Sequence, residues 1–165
     1  MADIQIQSYA EVYKQDVIKL ILEIQNKEFD IGIDLEGQPD LEDIPNFYQK
    51  DKGAFWVATI DEVVIGTISL LDIGSNQGAL RKMFVGAGFR GKEYGVGQDL
   101  LDTLLEFAYQ KGYSDLFLGT TEKFIAAHRF YEKNGFSLLN KGDLPSSFPL
   151  VKVDTRFYKY KVVGY

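Results

Sequence analysis

Residues 80–108 contain the pattern that most restricts the fold, a strand followed by a glycine-rich loop and a helix. Residues 80–85 are largely apolar, residues 90–97 read Arg-Gly-Lys-Glu-Tyr-Gly-Val-Gly, and helical apolar spacing continues over 98–108. Glycine allows positive φ and close approach of a ligand, and the first N–H groups of a helix have no partner within it. The pattern predicts a phosphate or pyrophosphate site at the helix N-terminus.

Familiar nucleotide-binding motifs do not account for this loop. The Walker pattern places Lys and then Ser or Thr directly after its last glycine, and the Rossmann fingerprint needs a third glycine after the close pair. Within residues 90–97 the only close pair is Gly95-x-Gly97, and no glycine follows it three residues later. A surface turn whose glycines serve only the backbone would explain the same residues, but Arg90 and Lys92 add the positive charge that favours an anion site.

The composition limits the class of protein. A chain of 165 residues that is 45% hydrophobic and 25% charged predicts one soluble globular domain over residues 1–165. The absence of cysteine and the single histidine argue against disulfides and against a thiolate or multi-histidine metal site. The net charge of −6 argues against nucleic-acid binding. With no long apolar run and no signal peptide apparent, we expect a cytoplasmic protein without a membrane span.

Apolar periodicity predicts a mixed α/β (α+β) fold in the order β-α-α-β-β-β-α-β-α-β-β, with about seven strands and helices on both faces of the sheet. The predicted strands cover residues 4–7, 54–60, 63–71, 80–85, 115–119, 136–139 and 152–160. The predicted helices cover residues 9–27, 41–50, 96–111 and 124–133. Ser8 and Glu11 have the spacing of a capping box, which predicts that the first helix begins there.

Two segments carry a more specific signal. Met83-Phe84-Val85 is followed by the glycine loop, and 127–136 read Ala-His-Arg-Phe-Tyr-Glu-Lys-Asn-Gly-Phe. The first resembles the acetyl-CoA motif Q/R-x-x-G-x-G/A of the GNAT superfamily of acyl-CoA-dependent N-acyltransferases, and the second resembles that family's A-x-x-x-Y-E-K-x-G-F helix end. The resemblance implies a GNAT-like sheet and transfer of an acetyl group from acetyl-CoA to a primary amine of a small molecule or peptide by direct attack, without a metal.

The resemblance also implies where acetyl-CoA binds. The backbone of residues 83–85 would hold the pantetheine as an added strand and polarise the thioester carbonyl, and the N–H groups of residues 90–98 would hold the pyrophosphate. The implied cofactor-binding residues are Met83, Phe84, Val85, Arg90, Gly91, Lys92, Glu93, Tyr94, Gly95, Val96, Gly97, Gln98, Ala127, Phe130, Tyr131 and Lys133.

The loop departs from the family pattern by two extra residues, Glu93 and Tyr94 in the simplest alignment. Aligned on Val85, Arg90 takes the first place of the motif; aligned on Gly97, Lys92 does. A second departure is Phe124, which stands where the family often has an asparagine that contacts coenzyme A.

Tyr131 is the residue that the resemblance implies as general acid, because a phenol can protonate a departing thiolate. A general base is less apparent. We favour Glu28 over Asp30 and Glu122, although each is better explained as a solvated surface carboxylate. His128, in the helix that carries Tyr131, is expected at a surface position.

Residues 28–49 carry seven acidic side chains and no lysine or arginine. If this segment lies near the acceptor, it favours a cationic amine such as a polyamine, an aminoglycoside or a lysine-bearing peptide. A solvated acidic loop explains the same residues. The loop around Pro145 and Pro149 either lines the acceptor site, contributes to a homodimer, or only turns the chain.

Two other functions compete with the enzyme. One is a catalytically degenerate domain of the same family that binds acyl-CoA as a sensor or scaffold, and the other is an unrelated α/β protein with a phosphate ligand. The retained Tyr131 favours the enzyme, whereas the lack of an evident base leaves the sensor open.

Overall fold

One seven-stranded sheet forms the centre of the computed structural model, which describes residues 3–163. The strands lie in the order β1-β2-β3-β4-β5-β7-β6, with β4 and β5 parallel and every other pair of neighbours antiparallel. The strands are β1 (Ile4–Ser8), β2 (Ala54–Ile60), β3 (Val63–Gly74), β4 (Gln77–Val85), β5 (Asp115–Thr120), β6 (Ser137–Leu139) and β7 (Arg156–Lys161).

The described residues also form four α-helices. They are α1 (Lys14–Leu22), α2 (Ile44–Phe47), α3 (Val96–Gln110) and α4 (Ile125–Lys133). A 3₁₀ turn precedes α1, and a π-helical segment, Glu23–Glu28, follows it directly. None of the helices within residues 3–163 has the length and apolar character needed to cross a lipid bilayer. The element order confirms the predicted mixed α/β fold.

The predicted capping box is wrong. Ser8 remains in β1, where it pairs with Trp56 of β2, and the first helical turn begins after Ala10 without a side-chain cap. The S-x-x-E spacing therefore coincides with the end of a strand, whose ladder hydrogen bonds already hold the backbone of Ser8.

Alternating side chains of the central strands build a core on each face of the sheet. In β2, Trp56 and Ala58 pack with the buried leucines of α3, whereas Phe55 and Val57 pack with α1 and Tyr48 on the opposite face. Because both faces are covered, β2 and β3 are apolar along most of their length. The helices thus lie on both faces, as predicted.

Candidate functional site

The two parallel strands at the centre of the sheet separate and leave a cleft. β4 and β5 pair only where residues 77–79 lie opposite residues 115–117, and the rest of each strand diverges from the other. A cavity of about 900 Å³ opens beyond this junction, between the C-terminal parts of β4 and β5. Its volume is within the range of small-molecule and cofactor sites.

The glycine-rich loop and the start of α3 form one end of the cleft. Gly91 and Gly95 have φ of 108° and 66°, a region that residues with a side chain rarely adopt, and α3 begins directly after Gly95. No side chain caps this helix, so the N–H groups of Val96, Gly97 and Gln98 have no partner in its first turn. The arrangement is that of an anion site.

Arg90 is held by its own chain. Its guanidinium forms a bidentate ion pair with the Glu28 carboxylate, in which Nη2 donates to Oε1 at 2.8 Å, and its Nε donates to the carbonyl oxygen of Val85 at 2.8 Å. It also lies over the ring of Phe29. The cofactor residue and the general base predicted from the sequence are therefore partners of each other.

Lys92 has different surroundings. Its side chain is exposed at the rim of the cleft, and within residues 3–163 no carboxylate lies within 4.0 Å of its ammonium group. Of the two cations that the alignment left open, Lys92 is the one whose charge is available to a ligand phosphate.

Most of the predicted cofactor residues line the cleft. They are Met83, Phe84, Val85, Arg90, Gly91, Lys92, Gly95, Gly97, Gln98, Ala127, Phe130, Tyr131 and Lys133. Three others do not line it: Glu93 is exposed, Tyr94 packs its ring edge-on against Phe89, and the side chain of Val96 is buried in the core. The side chains of these three residues therefore do not face the cleft, and only their backbone N–H groups are candidates to bind the pyrophosphate.

The two motifs meet through side chains. Nε2 of Gln98, in the first turn of α3, donates to Oδ1 of Asn134 at 2.8 Å, just after the end of α4. Phe124, which replaces the family's asparagine, lines the cleft and packs its ring against those of Phe29 and Phe84. At this position the chain offers an apolar surface in place of an amide.

Tyr131 lies at the cleft wall among aromatic side chains. Only 6% of its surface is exposed, and its ring packs against Phe130, Phe136 and Tyr158. Burial, and after it the charge of Asp154, raises the pKa of the Tyr131 hydroxyl above its usual value of 10. The hydroxyl therefore keeps its proton at neutral pH and is available as a donor.

Asp154 is a cleft residue that the sequence did not single out. It lies in the loop before β7, and its Oδ2 is packed so closely to Gly119 of β5 that a methyl group there would lie 2.6 Å away. Burial raises the pKa of this carboxyl group to about 6, although Arg81 and Lys82 act in the opposite direction. A solitary aspartate in a loop has no pattern that could have revealed it.

Arg81 and Lys82 were also missed as site residues. Lys82 occupies a β-bulge, where two residues of β4 oppose one of β3, and its φ is 54°. Its Nζ donates to Oε1 of Gln38 at 2.7 Å and lies 3.5 Å from the carboxylate of Asp40. Burial lowers the pKa of Lys82 to about 8, against the effect of Asp40.

The acidic side chains of residues 28–49 do not face the cleft, although Phe29, Ile31, Ile33 and Gln38 of the same segment line it. The seven carboxylates of Glu28, Asp30, Asp34, Glu36, Asp40, Glu42 and Asp43 are all absent from its lining. Asp40 binds Lys82 and accepts the Tyr48 hydroxyl at 2.5 Å, Asp34 accepts the N–H of Gly37, and Asp43 caps α2. The cleft is lined instead by Arg81, Lys82, Arg90, Lys92, Lys123 and Lys133, with Asp99 and Asp154 as its acidic residues.

His128 is buried, which corrects the predicted surface position. Its exposed fraction is 8%, and its Nε2 lies 2.9 Å from the carbonyl oxygen of Thr121. That contact ties α4 to the end of β5.

The loop near the C-terminus does reach the cleft, where Phe148 and Pro149 form part of the wall. Between residues 3 and 163, no three His, Cys, Asp or Glu side chains are grouped in a way that could hold a metal ion.

Comparison with known proteins places the chain in a family. Residues 18–136 match the model of the acetyltransferase (GNAT) family. The chain belongs to this family. It is 42% identical to an acetyltransferase of GNAT family from Staphylococcus aureus Mu50, with a TM-score of 0.94 over 98% of this chain and 100% of that one. Both the predicted fold class and the predicted family are confirmed.

One curated relative and one solved structure are less similar over their length. N-acetylaspartate synthetase of Xenopus tropicalis is 40% identical over 59% of this chain, and the match covers 36% of that protein. The chain thus spans about a third of the length of the curated relatives it matches first. The PaiA N-acetyltransferase of Thermoplasma acidophilum, solved in complex with coenzyme A, shares the fold with a TM-score of 0.75 over 96% of this chain and 99% of that one, at 18% identity.

Proposed function

We propose that this protein is an N-acetyltransferase that transfers the acetyl group of acetyl-CoA to a primary amine. The observation that carries the proposal is the separation of β4 from β5 beside an uncapped, glycine-flanked helix N-terminus. The open edge of β4 can pair with an extended, amide-bearing chain such as pantetheine. The N–H groups at the start of α3, with Lys92, suit the pyrophosphate.

Tyr131 is suited to act on the sulfur of the thioester. As the amine nitrogen forms its bond to the acetyl carbon, the carbon–sulfur bond breaks and leaves a thiolate, and the proton that the nitrogen loses on becoming an amide converts this thiolate to the thiol. A thiol has a pKa of about 8.5, whereas burial raises the pKa of Tyr131 above 10. Full proton transfer from the phenol is therefore uphill, and its main contribution is an O–H hydrogen bond that stabilises the charge developing on sulfur.

Asp154 fits the role of general base better than Glu28. Both oxygens of Glu28 accept hydrogen bonds from Arg90, and Glu28 does not line the cleft. Asp154 lines the cleft, and its pKa of about 6 leaves it ionised at neutral pH while making it more basic than an ordinary aspartate. It would take the proton that an alkylammonium must lose before the nitrogen can attack.

A small-molecule acceptor agrees with the names of the curated relatives. Several of them are named N-acetylaspartate synthetase, so their named product is an acetylated amino acid. The coenzyme A complex of the PaiA N-acetyltransferase supports coenzyme A as the ligand type of this fold. For this chain, the acceptor and the cosubstrate are part of the proposal.

The test has two stages. Acetyl-CoA should first raise the midpoint of thermal unfolding, and free thiol should then be released in the presence of a panel of amino acids, polyamines, aminoglycosides and peptides. Binding with amine-dependent thiol release supports the enzyme. Binding without release from any amine would support the acyl-CoA sensor or scaffold instead, and absence of binding would contradict both functions.

A further inference from the structure

Arg81 is a cation of the cleft wall without a carboxylate partner. Its guanidinium lies over the rings of Phe47 and Tyr48, with 5.6 Å and 5.9 Å to their centroids. Within the described part of the chain, no carboxylate oxygen lies within 4.0 Å of it. A guanidinium in contact with aromatic faces keeps N–H groups that can bind a carboxylate.

Lys82 is the adjacent cation, and neighbouring polar side chains hold its ammonium group in place. Nζ contacts both Gln38 and Asp40, and Gln38 exchanges two side-chain hydrogen bonds with Gln25 at 2.8 Å and 3.0 Å. Asp40 is shared between Lys82 and the Tyr48 hydroxyl. The one carboxylate close to these cations is thus already occupied, and the charge of Arg81 is not matched by direct contact.

Asp154 faces the two cations from the opposite side of the cleft. It interacts electrostatically with both Arg81 and Lys82, yet it forms no ion pair with either within 4.0 Å. Opposite charges that lie near each other without contact leave room for a ligand that carries both signs. An amino acid is such a ligand, since its carboxylate and its ammonium group are separated by one or two carbon atoms.

We propose that the acceptor is a free amino acid, whose carboxylate binds Arg81 with Lys82 as the second cation and whose amine is thereby delivered to Asp154. This inference rests on the proposed acetyltransferase function. A bidentate arginine–carboxylate pair fixes orientation as well as position, so the same contact that selects the acceptor also aims its nitrogen. Polyamines and aminoglycosides lack the carboxylate and bring more positive charge toward Arg81, Lys82 and Lys123, which all line the cleft.

The experiment compares matched acids and amides. Thiol release is measured with L-alanine, L-leucine, L-phenylalanine and L-aspartate, each beside its α-carboxamide, and with spermidine and kanamycin. At least one acid should have a kcat/KM about tenfold or more above that of its amide, the ratio expected for loss of a charged hydrogen bond. Amidation lowers the pKa of the α-amine, so easier deprotonation would favour the amide and cannot produce this preference.

Two arginine variants, one inside the cleft and one outside it, provide the test and its control. Arg81→Met should lower kcat/KM for the acid about tenfold or more, affect the amide much less, since there it acts only through the pKa of Asp154, and leave the affinity for acetyl-CoA intact by calorimetry. Arg129→Met removes an exposed arginine of α4 that lies outside the cleft lining, and it should leave the acid preference unchanged.

The outcomes separate this inference from the proposed function. Thiol release with spermidine or kanamycin but with none of the amino acids, or equal rates for acid and amide, would overturn the inference and leave the acetyltransferase standing. An equal effect of Arg81→Met on acid and amide would also overturn it. Absence of thiol release with every amine would reject both.

Discussion

At the scale of single residues, the proposed reaction needs a proton donor and a proton acceptor, and Tyr131 and Asp154 fit these two roles. Tyr131 holds its proton because burial raises its pKa, and Asp154 accepts one because burial raises its pKa as well. The same physical cause therefore produces a hydrogen-bond donor and a base at neutral pH, since desolvation disfavours the charged form of both groups.

Replacement of Tyr131 tests the donor. Tyr131→Phe keeps the ring packing with Phe136 and Tyr158 but removes the hydroxyl, so kcat should fall about 100-fold while the affinity for acetyl-CoA changes little. Stopped-flow thiol release and calorimetric titration measure the two quantities. Tyr160→Phe, outside the cleft lining, is the matched control. Unchanged turnover of Tyr131→Phe would remove the hydroxyl from the mechanism.

Asp154→Asn should separate activity from stability. The folded state binds the proton of Asp154 more tightly than the unfolded chain, with a pKa of about 6 against 3.8. The stability that this preference contributes is therefore present below pH 3.8 and lost as pH rises through 6. At pH 8 the free energy of unfolding of the asparagine variant should exceed that of the wild type by about 3 kcal/mol, and the difference should vanish well below pH 3.8.

The same variant should lose activity. Because Asp154 acts in its ionised form in the proposed mechanism, wild-type kcat/KM should fall as pH is lowered through about 6, and Asp154→Asn should reduce kcat about 100-fold. Urea unfolding and pH–rate profiles provide the two measurements. A variant that is less stable than the wild type at pH 8, or equally active, would contradict the assignment.

At the scale of elements, the glycine loop and α3 form a binding unit whose charge and geometry come from different residues. The geometry comes from Gly91 and Gly95, and the available charge from Lys92, because Arg90 is bound to Glu28 and to the Val85 carbonyl. Arg90 therefore connects the loop to the π-helical segment and to the end of β4, as a positioning residue for the loop.

Replacement of Lys92 tests this division. Lys92→Ala should weaken binding of acetyl-CoA about five- to tenfold at low salt, with a smaller effect at high salt, since an exposed cation is screened. S-acetylpantetheine, which lacks the pyrophosphate, should bind the variant and the wild type equally by calorimetry. Lys19→Ala, on the exposed face of α1, serves as the control. An equal loss for both ligands would show that Lys92 does not contact the phosphates.

At the scale of the whole molecule, the parts that could be predicted from sequence are those coded locally. The continuous apolar run of β2 and the three-to-four-residue spacing in α3 predict those elements, and the loop at Gly95 and the helix end at Tyr131 are contiguous motifs. The Arg90–Glu28 pair joins residues 62 positions apart. Likewise, Asp154 shares the cleft with Arg81 and Lys82 only in the folded chain, and no period or spacing in the sequence marks these three residues.

The weak junction between β4 and β5 predicts uneven stability. Strands β1–β4 are joined to β5–β7 by three paired positions, so native-state hydrogen exchange should show β5 and β7 opening at a lower free energy than β2 and β3. Acetyl-CoA, which contacts both sides of the cleft in the proposed mode, should reduce this difference. Equal opening free energies for the two groups of strands, with and without the ligand, would contradict the prediction.

That junction also has a consequence for turnover. Only three residue pairs join β4 to β5 beside the cleft, so the two parts of the sheet can move relative to each other. A ligand that forms hydrogen bonds with both parts would restrict this motion. Bound acetyl-CoA would then connect the two parts of the sheet, and the protein would be most rigid in the complex that precedes acetyl transfer. Release of coenzyme A would remove that connection, so the last step of each cycle would also restore the relative motion of β1–β4 and β5–β7.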